Sequence, residues 1–559
     1  MIFATSNYPI LTQLNYYNSN QKMKKMKKNI SKMMITAVMA VAGSTASMAQ
    51  TNLGAECGCP TIAARAANTV NISTITDANG NFPANYVMTC DKKYVLDEKA
   101  YVIAGRTLTI MPGTAIFASN NAALNATALV ISRGGKIIAA GTESCPIVFT
   151  ANGDNMDGSF NTPQQLWGGV VLLGKATNNF NVTGCGSLQV ASGVGRIEGI
   201  ASGDYRSYYG ADLANTVGAP FNTSGAAESF DNDDNSGILR YVSIRHGGAT
   251  IATNNELNGL TLGSVGRSTV LEYIEIVANS DDGIEFFGGV PNVKYAAVIY
   301  SDDDNFDWDH GYSGKGQFWY TLMGPGRGDH GMEIDSDDNN CGGTPISNPQ
   351  IYNYTCIGRN NAGDMAIEAK EGTGGQIKNS VFANFVNGAR MSPTGNATYT
   401  AYGNWTAATP VLWFENNTFV NMTGTKFIIT GQAATVADSS RMFNAGNNFV
   451  ASVPGFDFTH GYNYTVNSLT AAVTDQVDPS PSPALGTVSA VPVDGFFTPT
   501  TYRGAFASSG PNWLKNWSFT SYVDQFNGLV PCSTDTNNDG VTNITDFNAV
   551  LGAFGTSCD

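Results

Sequence analysis

Charge is what this chain has least of. Only 13% of its 559 residues are Asp, Glu, Lys or Arg, and among these 30 Lys and Arg face 45 acids. A basic footprint able to neutralise phosphates is missing, which argues against nucleic acid or anionic lipid as a partner. Histidine is nearly absent: His246, His310, His330 and His460 are the full set, none in the HExxH spacing of a zinc peptidase. Each neighbours Gly or Tyr, so each is expected at a corner with one backbone hydrogen bond. Beyond residue 49 no apolar run approaches the ~20 residues that cross a bilayer, so no membrane span is expected. The nine cysteines include no CxxC pair, and "CGCP" has the wrong spacing for zinc.

What is present is Gly, 62 of them, with abundant Asn, Thr and Ser. That composition suits short strands joined by many turns. Residues 1–49 read as a signal peptide with an upstream extension. Lys22, Lys24, Lys25, Lys27, Lys28 and Lys32 precede the apolar "MMITAVMAVAG", and "STASMAQ" places small residues ahead of a cut before Gln50. Removing that segment moves the formal charge from −15 to −21, a surface suited to divalent cations or neutral partners. Export makes disulfides the expected state of the cysteines, with Cys532–Cys558 and Cys341–Cys356 the nearest pairs in sequence. The expected location is secreted, extracellular or cell-surface, with the periplasm open.

Internal repeats decide the fold. "QIYNYTCIG", "QIKNSVFAN" and "WFENNTFVN" place Asn353, Asn379 and Asn416 in register, with Cys356, Phe382 and Phe419, and "NAGNNFVAS" adds Phe449. "LRYVSIRHGG", "LEYIEIVANSDDG" and "VKYAAVIYSDDD" align Tyr241, Tyr273 and Tyr295 in the same way. Short strands repeating every ~22–30 residues with Asn and Gly at the corners predict an all-β parallel β-helix, whereas a propeller blade needs ~40–45. Stacking is the physical reason: one coil cannot bury its own apolar face, and Asn at a corner tolerates left-handed backbone angles. The expected division is a Cys-containing lead-in over 50–89, the β-helix over 90–450, a closing cap or edge element over 451–530, and a calcium-loop module over 531–559.

"LTIMPGTAIFA", "GGKIIAAGTESCPIVFT", "WGGVVLLGKA", "DDNSGILRYVSIRHGG", "NSDDGIEFFGG", "GYSGKGQFW" and "FFTPTTYRGAFASSGPNWLKNWSF" together resemble a family of secreted Bacteroidetes proteins of uncharacterised function. The resemblance implies a right-handed parallel β-helix and export; it brings no catalytic residue with it.

The most specific local motif is "DTNNDGVTNITDFNAVLGAFG". Asp535, Asn537, Asp539, Val541, Asn543 and Asp546 take positions 1, 3, 5, 7, 9 and 12 of an EF-hand-type calcium loop, with Gly540 at the sharp turn. The stretch resembles one half of a dockerin. Because a dockerin pairs through two repeats, a cohesin-type partner is not expected.

Aspartate clusters supply the remaining chemistry. The candidates are Asp231, Asp233 and Asp234; Asp281, Asp282 and Glu285; Asp302, Asp303, Asp304, Asp307 and Asp309; and Glu333, Asp335, Asp337 and Asp338. If the Tyr273 and Tyr295 strands stack, Asp281 and Asp303 lie one above the other at the ~4.8 Å strand spacing, and need water, a proton or a shared cation. Calcium, held by Asp281, Asp303 and Asp335, is one reading. Catalysis is another. "NSD" (Asn279, Asp281), "DD" (Asp302, Asp303) and "DHG" (His310) loosely resemble polygalacturonase motifs, though Asp309 stands where Gly is usual and no "RIK" follows. A lyase would need a base, for which Arg245, Lys294 and Arg327 are candidates. Trp308, Tyr312, Trp319 and Tyr320 either form a sugar-stacking platform or pack into the coils. The expected function is a calcium-stabilised β-helix that binds glycan or extracellular matrix without catalysis; the alternative is a polysaccharide hydrolase or lyase with its groove near Asp281–His310.

Overall fold

A computed structural model describes residues 50–522, apart from 121–125, 157–163, 201–202, 251–255, 325–326, 338–340, 396–398, 432, 454–455, 457–463, 466–467, 470–484 and 508–511. The expected signal peptide, His460, Asp338, Cys532, Cys558 and the expected calcium loop at Asp535–Asp546 lie outside the described residues.

The strands stack in parallel into a β-helix. Long strands such as Gly237–Arg245, Val270–Val277, Asn292–Ile299, Lys315–Leu322 and Gln350–Ile357 each turn a corner in mid-course. The residue at the bend is left-handed in each of these coils and in the two that follow. Tyr241, Tyr273, Tyr295, Phe318, Asn353, Asn379 and Asn416 form one column with φ between 49° and 59°. Asn accepts this conformation readily, but Tyr and Phe do so at some cost. Ring stacking offsets it, at centroid distances of 4.3 Å for Tyr241–Tyr273, 4.4 Å for Tyr273–Tyr295 and 5.0 Å for Tyr295–Phe318.

Inside, one file of side chains runs Ile244, Ile276, Val298, Thr321, Cys356, Phe382, Phe419, Phe449 along paired strands. The sequence alignment anticipated the last four of these. Parallel pairing already begins at Thr69–Asn71, ahead of Cys90, and its last strand is Asn448–Val450.

Cys341 and Cys356 are not partners. Cys356 points into the core as a buried free thiol, where no other cysteine among the described residues reaches it. Cys341 instead bonds Cys185, while Cys57–Cys145 and Cys59–Cys90 staple the lead-in to the first coils. These bridges are compatible with an extracellular protein. Among the described residues no helix is long and apolar enough to cross a membrane.

The aromatic-rich segment, expected as a closing cap or edge element, runs lengthwise along the corner column. Asn353 donates to the Tyr502 carbonyl and Asn379 to the Ser489 carbonyl, Lys294 donates to the Phe496 carbonyl, and Trp517 packs edge-on against Tyr241. The reason is chemical: a left-handed corner projects its side-chain amides outward, and a strap of extended backbone satisfies them.

A second, ten-stranded parallel sheet forms another face. Its central strands are Leu260–Gly263, Ile284–Phe287, Phe306–Asp309, Met332–Ile334, Met365–Ala369 and Asn387–Met391. A small antiparallel sheet of Gln189–Ala191, Val194–Arg196 and Tyr208–Gly210, inserted ahead of Gly237, packs on the outside of this sheet through Phe180, Tyr209 and Phe287.

A candidate metal centre on an acidic face

Alternation along the second sheet sends Ile284, Phe286, Phe306, Trp308, Met332 and Ile334 into the core. The residues between them face outward. Register therefore stacks Thr261, Glu285, Asp307, Glu333, Glu368 and Arg390 in one file. Asp309 lies beside Phe287, and Asp335 follows the Trp308–Ile334 pair, so Asp335 belongs with Asp309 and not with Asp281 and Asp303.

The corner ahead of these strands adds two more files. Asp282 is succeeded one coil on by Asp304, and Asp304 by His330. Asp281 and Asp303 sit just outside them. Three groups result, the first two sharing Asp282: Asp281, Asp282 and Asp303; Asp282, Glu285 and Asp307; and Asp304, His330 and Glu333. In each, one donor atom per residue lies within 4.8 Å of the others. Two oxygens bound to one Ca²⁺ at 2.3–2.6 Å stand at most about 5 Å apart, so the spacing fits that ion. The Oδ1 atoms of Asn258, Asp307 and Asp335 are buried here without a hydrogen-bond partner, as cation ligands would be. A fourth group, Cys185, Asp337 and Cys341, is structural: the cysteines are bonded, and Asp337 accepts the Gly342 and Gly343 N–H groups at 2.6 and 2.8 Å.

Cations on the face are few and already engaged. His330 lies between two carboxylates, with Nδ1 2.9 Å from Asp304 and Nε2 2.8 Å from Glu368. Lys370 pairs with Glu333 and, at 3.4 Å, with Asp335. Arg390 pairs with Glu368.

Crowding shows in the proton affinities. Burial first, and neighbouring carboxylates second, hold Asp281, Asp282, Glu285, Asp304 and Asp307 well above the usual carboxylate range. The same causes push Asp303 up to about 6. Glu198, carried in from the inserted sheet and hydrogen-bonded to Glu285, is pushed up to about 7 by burial. His330 runs against its own burial: the hydrogen bond to Asp304 raises it to about 9.

Other sequence candidates fall elsewhere. Asp302 is exposed near Arg327 and Arg359. His310 is buried between Phe180 and Phe287, its Nε2 3.3 Å from Asp309, at a left-handed corner. Arg245 donates to Gln50 and Ser243, and Lys294 to the strap, so neither serves this face. Asp233 pairs with Arg267. Trp308, Tyr312, Trp319 and Tyr320 are fully buried, which removes the sugar-stacking platform. Sequence reasoning missed Glu198, Glu368, Lys370 and Arg390, and gave His330 a bland corner role. The second position of "IEFF", "FDWD", "MEID", "IEAK" and "ARM" carried the signal, a charged residue between inward apolar ones.

Residues 80–203 and 225–465 match the pectate-lyase-like β-helix domain. The chain belongs to that family. Among solved structures, the catalytic domain of a GH87 α-1,3-glucanase in complex with nigerose is similar at a TM-score of 0.24 and 9% identity, over 69% of this chain and 68% of that one. A likeness at this level says nothing of activity. Among curated proteins nothing matches the chain.

Proposed function

We propose that the acidic face is a divalent-cation site, calcium by its hard oxygen donors, on an exported β-helix that binds glycan. One observation carries the reading: two groups of carboxylate oxygens, each within 4.8 Å, share Asp282, a third group of donor atoms lies on the next coils, and the cations of the face are already paired. Such carboxylates must share protons or a cation, and calcium accepts several oxygens in flexible geometry. Asp281, Asp282 and Asp303 would hold one ion, and Glu285 and Asp307 would extend the site. The glycan partner rests on membership of the pectate-lyase-like family. The loop from Asp535 to Asp546 would supply a further calcium site, so the test removes it. Calorimetric titration of calcium into the Asp539→Ala chain should still show binding, lost on adding Asp282→Asn. Absence of heat at millimolar calcium would sink the reading.

A second reading has one observation in its favour. Glu198, a carboxyl poised at about 7 against Glu285, has the affinity of a general acid at neutral pH. Paired with a carboxylate it would protonate a glycosidic oxygen. Release of reducing ends from polysaccharide, abolished by Glu198→Gln at unchanged melting temperature, would establish hydrolysis in place of simple binding.

A further inference from the structure

Away from the acidic face, Gln50 is tucked beneath the strap. It is buried, and the Leu53 N–H donates to its carbonyl at 3.0 Å. Its side-chain Oε1 accepts the Arg245 guanidinium at 2.6 Å, while Nε2 reaches the Trp517 carbonyl at 3.5 Å. Arg245, 2% exposed, ends the strand Gly237–Arg245 and also donates to Ser243. Ser243 donates in turn to Glu275, whose carboxylate accepts the Phe519 and Thr520 N–H groups of the strap. One buried polar cluster thus joins Gln50, two coils and the strap.

Gln50 is also the residue that the expected signal-peptide cut would expose. A chain freed there begins with an α-amine, which titrates at about 7.7–8.0 and is largely protonated at neutral pH. That ammonium would stand within one side chain's reach of Arg245. Burial already holds the Arg245 guanidinium below its ordinary value, against the pull of Glu275 and Asp154, and a second buried cation adds to the cost. Glutamine at a free N-terminus can shed the charge. The uncharged amine attacks its own side-chain Cδ: the N–Cδ bond forms, the Cδ–Nε2 bond breaks, and Nε2 leaves as ammonia with one amine hydrogen. Nothing is oxidised or reduced, and no co-reactant enters. The existing contacts favour this outcome. The atom that stays is Oε1, with its short, charge-assisted bond to Arg245. The atom that leaves is Nε2, whose contact with Trp517 is long. Its other neighbour, the Tyr522 hydroxyl, already donates to the Asn516 carbonyl at 3.0 Å.

We propose that Gln50 of the exported protein is a pyroglutamate whose lactam oxygen accepts from Arg245 beneath the strap, closing the N-terminus to aminopeptidases. The proposal rests on export with a cut before Gln50, and not on the cation or glycan readings.

The test is mass spectrometry of the N-terminal peptide of the protein recovered from its native cells. That peptide should begin at residue 50 and be lighter than the unmodified peptide by one ammonia. Pyroglutamyl aminopeptidase should then release the residue from reduced, alkylated and unfolded protein at least ~10-fold faster than from folded protein, because the buried ring is reached only on opening. A peptide that begins elsewhere would overturn the cut and the proposal together. One that begins with an intact Gln50 would overturn the lactam and leave the cut standing. Equal release from folded and unfolded protein would overturn the seat against Arg245.

Discussion

The carboxylate of Asp282 accepts the main-chain N–H of Asp304, one coil on, at 3.0 Å. Asp304 repeats the contact, accepting the N–H of His330 at 2.7 Å. These aspartates therefore hold successive corners together through one oxygen each. Asp282 also converges with Asp281 and Asp303 and with Glu285 and Asp307, and Asp304 with His330 and Glu333. Structural use and the proposed cation binding are thus compatible on the same side chains.

The core file gives the first prediction. Ile276 is 1% exposed between Ile244 and Val298. Ile276→Asp buries an uncompensated charge and should cost about 4 kcal/mol or more in chemical unfolding. Ser268→Asp, on an exposed turn, should stay within about 0.5 kcal/mol of the parent. Equal losses would contradict the placement of Ile276.

The strap gives the second. Arg503 is buried and donates to the carbonyls of Asn417, Gly446 and Thr487 at 2.8–3.0 Å. Arg503→Ala strands those carbonyls, a loss of about 3 kcal/mol or more. Arg503→Lys should recover little, since one ammonium cannot span them all. Amide exchange over residues 485–506 should rise in both variants while the strand Gly237–Arg245 stays protected. Unchanged exchange in the strap would refute its dependence on Arg503.

How much of this was legible beforehand depends on what sets each feature. The coil register could be read because Asn353, Asn379 and Asn416, like Tyr241, Tyr273 and Tyr295, must sit at one backbone conformation, and a local requirement leaves a local mark. The Asp281–Asp303 stack followed from the same register. The partner of Cys341 could not be read, because Cys185 arrives on an insertion whose docking depends on tertiary packing. Glu198 was hidden for the same reason. Sequence alone leaves Trp308 and Trp319 between an open platform and the core because neighbouring aspartates suggest a solvated loop, whereas alternation along "FDWD" turns the Trp308 ring inward and the acids outward.

The third prediction is pH dependence without calcium. Glu198 and Asp303 rise from ordinary values of 4.5 and 3.8 to about 7 and about 6, so folding takes up protons at both. Their contribution is fully present below the ordinary values and is lost as pH climbs through the raised ones. His330, raised from 6.5 to about 9 by its hydrogen bond to Asp304 in spite of burial, has the same sign and loses its contribution through about 9. In EDTA the melting temperature should fall steadily from pH 4.5 to 9, and saturating calcium should flatten the fall. A melting temperature that rises over that interval would contradict these shifts.

The central claim is that the acidic face of the β-helix binds calcium, and thermal melting of the Asp539→Ala chain, whose C-terminal loop is disabled, tests it most directly. Calcium bound only to the folded form raises stability by mass action, about 2.7 kcal/mol at one hundred times the dissociation constant. The account predicts a clear rise in melting temperature on adding calcium, reversed by EDTA, and a much smaller rise when Asp281→Asn and Asp303→Asn are added. An equal calcium-induced rise with and without those two substitutions, or no rise in either chain, would contradict it.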